Sequence, residues 1–457
     1  MPTTSQADRR PEAAPRRQLT LLDSTAIIVG IIIGSSIYEM SPAIAGCMQN
    51  ATMLLGVWVL GGVLSVLGSL CYAELATAYP VEGGDYVYLT RAMGRTVGFL
   101  FAWAQFWVVR PGSIGFAAYV FADYANRLYH LGDGNLVLIA YASGSIVVLT
   151  AINILGVREG KWTQNVLTAV KVLGLVAVIV AGMCFTAPAA PAATDAAPVE
   201  SNFYLAMIYV LFAYGGWNEM AYVGAEVRDP QKNILRALLL GAAAVTAIYV
   251  LVTLAFIHAL GLAGTQHAKT VAADVLQLAL GPVGGRTVSL LICISALGAI
   301  NGMIFTGARI YYAMGTEHRL YAWLGRWSPR WQTPLRSLLI QAAVTLALVV
   351  CFGLGKSGFQ SMVTFTTPVF WIFFLLVGVS LFVLRYREPQ TPRPYRVHGY
   401  PLVPLLFCLS SLLMVYASIS YAYENRTYEA LWSVGILAVG AVMSYFDSSS
   451  SAAEKAP

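Results

Sequence analysis

The chain has 457 residues, of which 58% are hydrophobic and only 11% charged, with a formal net charge of +6. Soluble domains carry roughly 25% charged residues, so this composition excludes a soluble globular protein and a disordered one. The positive balance does not point to nucleic acid, because the cations fall in loops between apolar runs and form no basic aromatic patch.

Residues 1–20 are polar and Arg-bearing and read as a cytoplasmic tail. The apolar run that follows leads into a broken helix, with no short h-region and cleavage site, so no removable signal peptide is expected. A membrane-spanning helix needs about 20 apolar residues, and runs bounded by Gly, Pro and charge place spans at 24–48, 53–79, 96–126, 134–156, 163–186, 203–223, 235–260, 286–314, 335–354, 360–385, 402–423 and 427–446. The pattern predicts an all-α integral membrane protein with twelve transmembrane helices. Segment 187–200 is Ala/Pro-rich and reads as a surface loop, and 447–457 as a second cytoplasmic tail. With the N-terminus inside, the outer loops hold only Arg127, Lys269, Lys356 and Arg426, whereas the inner segments hold most of the 28 Lys and Arg. This asymmetry sets the orientation. Cys47, Cys71, Cys184, Cys293, Cys351 and Cys408 lie in or beside apolar stretches with no CxxC pair, so neither a disulfide framework nor a zinc site is expected.

Two spans are interrupted at mid-depth. In span 1 the run Ile27 to Ile33, which contains Gly30 and Ile31, meets Gly34-Ser35-Ser36 before Ile37 resumes it. Gly30 and Gly34 also form a GxxxG face, so helix packing is an alternative. In span 6, Phe212-Ala213-Tyr214-Gly215-Gly216-Trp217-Asn218 puts a Gly pair at a matching depth. Paired interruptions at corresponding positions of two halves point to a transporter's midplane site. Where a helix restarts, free N–H groups favour a carboxylate; where it stops, free carbonyls accept from an ammonium. The candidate substrate site is therefore Ile33, Gly34, Ser35, Ser36 and Ile37 with Phe212, Ala213, Tyr214 and Gly215, and Phe212 is the candidate gate.

Charges inside spans demand a role. Lys171 lies about nine residues into span 5, too deep to snorkel fully. Arg110 sits mid-span beside Pro111 and reads as structurally satisfied. Glu74, Asp85, Glu226 and Arg228 read either as an inner gate network or as a solvated face, and Glu39 as a solvated acid near the outer vestibule.

The residues Gly34 to Tyr38, Cys71-Tyr72-Ala73-Glu74-Leu75, Gly83-Gly84-Asp85-Tyr86, Phe212 to Asn218, Glu226-Val227-Arg228-Asp229-Pro230 and Arg393-Pro394-Tyr395-Arg396 resemble the amino acid-polyamine-organocation superfamily. Arg110-Pro111, the span 6 motif and Asn301-Gly302 with Phe305-Thr306 are most similar to its L-type amino acid transporter branch. The resemblance implies the LeuT-type five-plus-five inverted repeat, residues 21–186 against 201–386, with 400–446 as two peripheral spans. It also departs from the family's G-S-G, since Ser36 takes the third position. By resemblance, Lys171 places its ammonium where sodium-coupled relatives bind a cation, against carbonyls near Gly30 and Ile31. The facing span 8 position, often Ser in relatives, is assigned to Ala299, which would leave the ammonium one hydrogen bond short.

These features imply a sodium-independent carrier of L-amino acids, an exchanger of neutral ones. Proton-coupled uptake, or a cationic amino acid or polyamine substrate, is the alternative. An enzyme is not expected, because the five histidines are scattered and form no H-E-x-x-H; no cofactor or metal is expected either. The partners foreseen are the amino acid and the lipid bilayer, with no nucleic acid. Heterodimeric members of the family join a glycoprotein through an outer-loop Cys after span 3; the loop from Ala125 to Asn135 has none, so no disulfide-linked heavy chain is expected. The expected location is the plasma (cell inner) membrane with both termini cytoplasmic.

Overall fold

The computed structural model describes residues 17–34, 36–81, 83–187, 202–268, 270–318, 321–355, 358–424 and 428–453. Residues 1–16 and 454–457 of the predicted tails, the Ala/Pro-rich segment from 188 onward and Ser35 lie outside the described residues. Among those described, the only non-helical pairings are two isolated bridges.

Span 1 consists of α1 (Leu21–Ile32) and α2 (Ser36–Gly46), bent by 49° relative to each other. α1 starts three residues before the predicted boundary because Thr20 and Asp23 close a reciprocal capping box. α3 covers Ala51–Ala78, and a short helix, α4 (Asp85–Met93), then lies on the path to span 3. The predicted straight span 3 is divided into α5 (Arg95–Ala104), a π turn (Gln105–Val109) and α6 (Arg110–Leu128). Pro111 lacks an N–H for the ladder, and the hydroxyl of Tyr311 lies 3.2 Å from the carbonyls of both Gln105 and Phe106.

α7 (Asn135–Leu155) and α8 (Val157–Cys184) follow. α8 begins six residues before the predicted start, so Lys171 lies roughly 21 Å along the helix at about 1.5 Å per residue, deeper than the sequence suggests. Span 6 comprises α9 (Phe203–Ala213), a turn and the four-residue α10 (Glu219–Tyr222). α11 (Pro230–His267) bends at Gly261, α12 (Val271–Leu280) packs against α8, α11 and α13, and α13 (Gly284–Glu317) runs through the core. α14 (Leu335–Gly353), α15 (Gly358–Arg387), α16 (Leu402–Glu424) and α17 (Tyr428–Ala453) complete the chain. The last helix runs past residue 446, where the sequence suggests a tail.

Among the described residues, eight helices are long and apolar enough to cross a membrane, or nine if the bent α1 and α2 count as one span. Part of the difference from twelve has physical causes: span 3 is divided at the π turn and α9 stops after 11 residues. α13 is the most enclosed span. It packs against α1, α6 and α8, so the breaks in spans 1 and 6 close around the middle of the molecule.

Candidate functional site

β-branched residues and the Gly-Ser pair weaken the helix at the end of α1. Ile33 still donates to the Val29 carbonyl (2.9 Å), but its ψ of 82° leaves the helix, and Gly34 donates to Ile32 (2.7 Å). The two glycines of the GxxxG face have different jobs. A Cβ on Gly30 would lie 2.2 Å from Gln164 and Thr168, so that glycine serves packing; one on Gly34 would meet nothing nearer than 4.0 Å.

At the break the carbonyls of Gly30, Ile32, Ile33 and Gly34 are all taken up. Lys171, fully buried, donates to Gly30 (2.6 Å), Ile33 (2.7 Å) and Ser295 (2.9 Å). The Ser295 hydroxyl reaches Ile33 and Gly34 (3.1 and 3.2 Å). The hydroxyl of Tyr249, from α11, lies 3.0 Å from the Ile32 carbonyl and 3.2 Å from that of Ala213, and so joins the two breaks. Two expectations are corrected here. The α13 acceptor for the lysine is the main-chain carbonyl of Ser295, one turn before Ala299 on the same face, so the ammonium has three carbonyl acceptors and is not left short. Ile31 offers Lys171 no carbonyl; its side chain is wedged between Gly216 and Gly302, where a Cβ would approach it to 2.8 and 2.4 Å.

In span 6, Tyr214 donates to Val210 and Gly215 to Phe212 (3.0 and 3.1 Å), and Gly216 takes a φ of 117°. That left-handed conformation is open to glycine at no steric cost, and it lets the chain turn beside Ile31.

Between these breaks, α6, α13 and α15 enclose a cavity of about 170 Å³. This is below the roughly 300–1,000 Å³ of drug-sized ligand sites and suits a small solute. Of the predicted residues, Gly34, Ser36, Phe212, Ala213, Gly215, Ile31 and Ala299 line it. Ile33, Ile37 and Tyr214 do not. Ile33 and Ile37 are fully buried in the core. Tyr214 points toward α3, where its hydroxyl donates to the Trp58 carbonyl (2.9 Å) and its ring packs on Trp58 and Tyr249. The opposite wall is apolar, with Phe116, Met303, Met362, Val363, Phe370 and Trp371. Phe116 meets the ring of Phe212 edge to face at 5.9 Å.

Sequence reasoning missed Glu219, which lines the cavity and binds Arg110 (2.8 Å) and the Thr306 hydroxyl. An acid within an apolar run, two residues after Trp217, was the available signal. It also missed Tyr249, whose hydroxyl in mid-span needed a partner.

Toward the ends of α1 and α10 that carry the first and last residues of these half-spans, polar contacts close the structure. Glu226 accepts from Arg309 at 2.6 and 3.3 Å, both buried, and its carbonyl takes the N–H groups of Gln18 and Leu19. Asp23 binds Lys161 (3.0 Å), Asp85 accepts from Tyr72 and Tyr222 (2.9 and 2.7 Å), and Glu74 binds Arg385 and the N–H of Val397. Glu74, Asp85 and Glu226 are thus buried and bonded, whereas Arg228 is exposed. Glu39 is half-buried beside Tyr124 and Arg127, not freely solvated.

A bundle of apolar helices with a small cavity at two helix breaks fits a multi-pass membrane transporter. The profile of the family described as amino acid permease matches residues 19–442. The chain is 29% identical over 438 residues to the b(0,+)-type amino acid transporter 1 of Homo sapiens, covering 94% of this chain and 88% of that protein. It is 29% identical to the serine/threonine exchanger SteT of Bacillus subtilis (strain 168), over 88% of this chain and 90% of that one. It is 30% identical to the large neutral amino acids transporter small subunit 2 of Homo sapiens, over 89% and 78%. The chain belongs to the amino acid permease family of the amino acid-polyamine-organocation superfamily, in its L-type branch.

Proposed function

We propose that the protein is a sodium-independent exchanger of neutral L-amino acids working by alternating access. In this reading it has twelve spans, with 21–186 and 201–386 as inverted repeats, 400–446 as peripheral spans, and the segments 1–20 and 447–457 on the cytoplasmic side of the plasma membrane. The observation that carries it is the ammonium of Lys171 bonded to Gly30, Ile33 and Ser295. A covalently tethered cation at the break cannot cross with the substrate, so no ion gradient drives net uptake. The three acceptors support this reading over a proton-coupled alternative that rested on an under-bonded ammonium.

The zwitterion is recognised through backbone, its carboxylate at the restart of span 1 near Ser36 and its ammonium at the carbonyls ending α9. The apolar wall from Phe116 to Trp371 receives the side chain, and Phe212 acts as the lid. The absence of Cys from the Ala125 to Asn135 loop favours a transporter without a disulfide-linked heavy chain.

The test is uptake of labelled leucine and serine into proteoliposomes, with and without internal unlabelled amino acid. Preloaded vesicles should take up label several-fold faster than empty ones, with no response to sodium or to a pH gradient. Equal rates, or accumulation driven by either gradient, would refute the reading.

A further inference from the structure

Glu219 is the one charged residue among the described residues that line the cavity. Its carboxylate accepts from Arg110 Nη1 at 2.8 Å, and the two side chains are 8% and 3% exposed. Arg110 reaches it from α6, its stem laid across Gly307 of α13, and its Nε has no hydrogen-bond partner. The guanidinium also lies over the ring of Tyr222, 5.4 Å from its centre. Asp85, the next carboxylate, is bonded to the hydroxyls of Tyr72 and Tyr222 rather than to Arg110. Lys171 stands behind the span 1 wall with its three carbonyls. The charge facing the cavity is therefore that of Glu219, with the Arg110 guanidinium bonded directly to it.

Removing either partner would leave the other as an uncompensated charge in a low-dielectric site. Such a charge attracts an opposite one on a ligand and repels a like one, which gives specificity. We propose that Glu219 and Arg110 form a charge-cancelling pair that makes this cavity select amino acids with uncharged side chains. The inference rests on the amino acid reading above and adds the residues that decide which side-chain charge is admitted.

The test is competition against bound radiolabelled leucine or serine, whichever binds more tightly, by lysine and glutamate, with purified protein in nanodiscs. In the wild type both charged competitors should bind at least about tenfold more weakly than the neutral one. Glu219→Gln should shift the ratio at least about tenfold toward glutamate, and Arg110→Gln by a similar factor toward lysine. The double variant Arg110→Gln/Glu219→Gln should return both ratios toward wild type, whatever its absolute affinity. A purely structural pair would lower all affinities together and would not move lysine and glutamate in opposite directions.

Wild-type protein that binds lysine or glutamate as tightly as the neutral amino acid overturns the inference. So do monodisperse variants with unchanged ratios. If a single variant fails to assemble, the wild-type ratios and the double variant decide. Wild-type protein that binds no amino acid at all would instead sink the transporter reading itself.

Discussion

The two helix breaks begin from similar sequence chemistry and are held in different ways. The freed carbonyls of span 1 are taken by a charged group and a hydroxyl, Lys171 and Ser295, from two neighbouring helices. Span 6 resolves its break mostly by local turns, with Gly216 at positive φ, and borrows only the neutral hydroxyl of Tyr249. Its continuation is four residues long and is secured by the pair of Glu219 with Arg110. The difference separates two arrangements: span 1 is clamped through its backbone, while span 6 is closed by local turns and lines the cavity with the side chains of Phe212 and Glu219.

Removing the clamp is the severest way to test this contrast. Lys171→Ala should lower exchange by about 100-fold or more, since unpaired carbonyls in a dry interior cost several kcal/mol and each 1.4 kcal/mol is about tenfold. The measurement is exchange in proteoliposomes matched for protein content. Full activity would return Lys171 to an incidental role.

On the span 6 side, Phe212→Ala should reduce exchange about tenfold while changing binding less. It removes the edge-to-face contact with Phe116, worth about 0.5–1.5 kcal/mol beyond area, and opens the cavity. Unchanged turnover would show that Phe212 is wall and not lid.

Tyr249→Phe addresses both breaks with the smallest change, one hydroxyl. Loss of a buried donor shared by Ile32 and Ala213 should cost about 1–3 kcal/mol, seen as a lower melting temperature in detergent and a several-fold loss of exchange. If the contrast holds, adding Ser295→Ala should weaken the span 1 side further and leave the local turns of span 6 unaffected. Identical losses from the single and double variants would mean that the span 1 carbonyls do not need both donors.

The breaks themselves were legible, because Gly-Ser and Gly-Gly in the middle of apolar runs contradict a continuous helix. That Lys171 lies inside its span was legible too, although the start of α8 puts it further along the helix than the apolar run suggests. The burial of Glu74, Asp85 and Glu226 was not legible, because their sequence positions fit a solvated face equally well. Nor was what faces the lysine. Ser295 and Ala299 share one face of α13, and only the crossing of that helix with α1 and α8 selects between them. Tyr214 was misplaced for the same reason: membership of a motif does not say which way a ring turns once the helix ends. Glu219 and Tyr249 were overlooked because an acid just past a motif and a tyrosine within an apolar span look ordinary until their partners are known. The division of span 3 had its signal in Pro111, but the proline does not reveal whether the helix kinks or widens.

That π turn at Gln105–Val109 sets the phase of the molecule. A single π turn holds one residue more than the α turn it replaces, and one residue is about 100° of rotation at 3.6 per turn. Upstream of it, α5 presents Trp103 to α17, where its ring N–H reaches the Ile436 carbonyl at 2.8 Å. Downstream, α6 presents Gly112, Ser113 and Phe116 to the cavity and Arg110 to Glu219. The two halves can satisfy both neighbours only with the extra residue between them. Shortening the segment by one residue would leave the peripheral anchor in place and swing the solute-facing side of span 3 away from its target, much as a gear that has slipped a tooth still turns but no longer meshes.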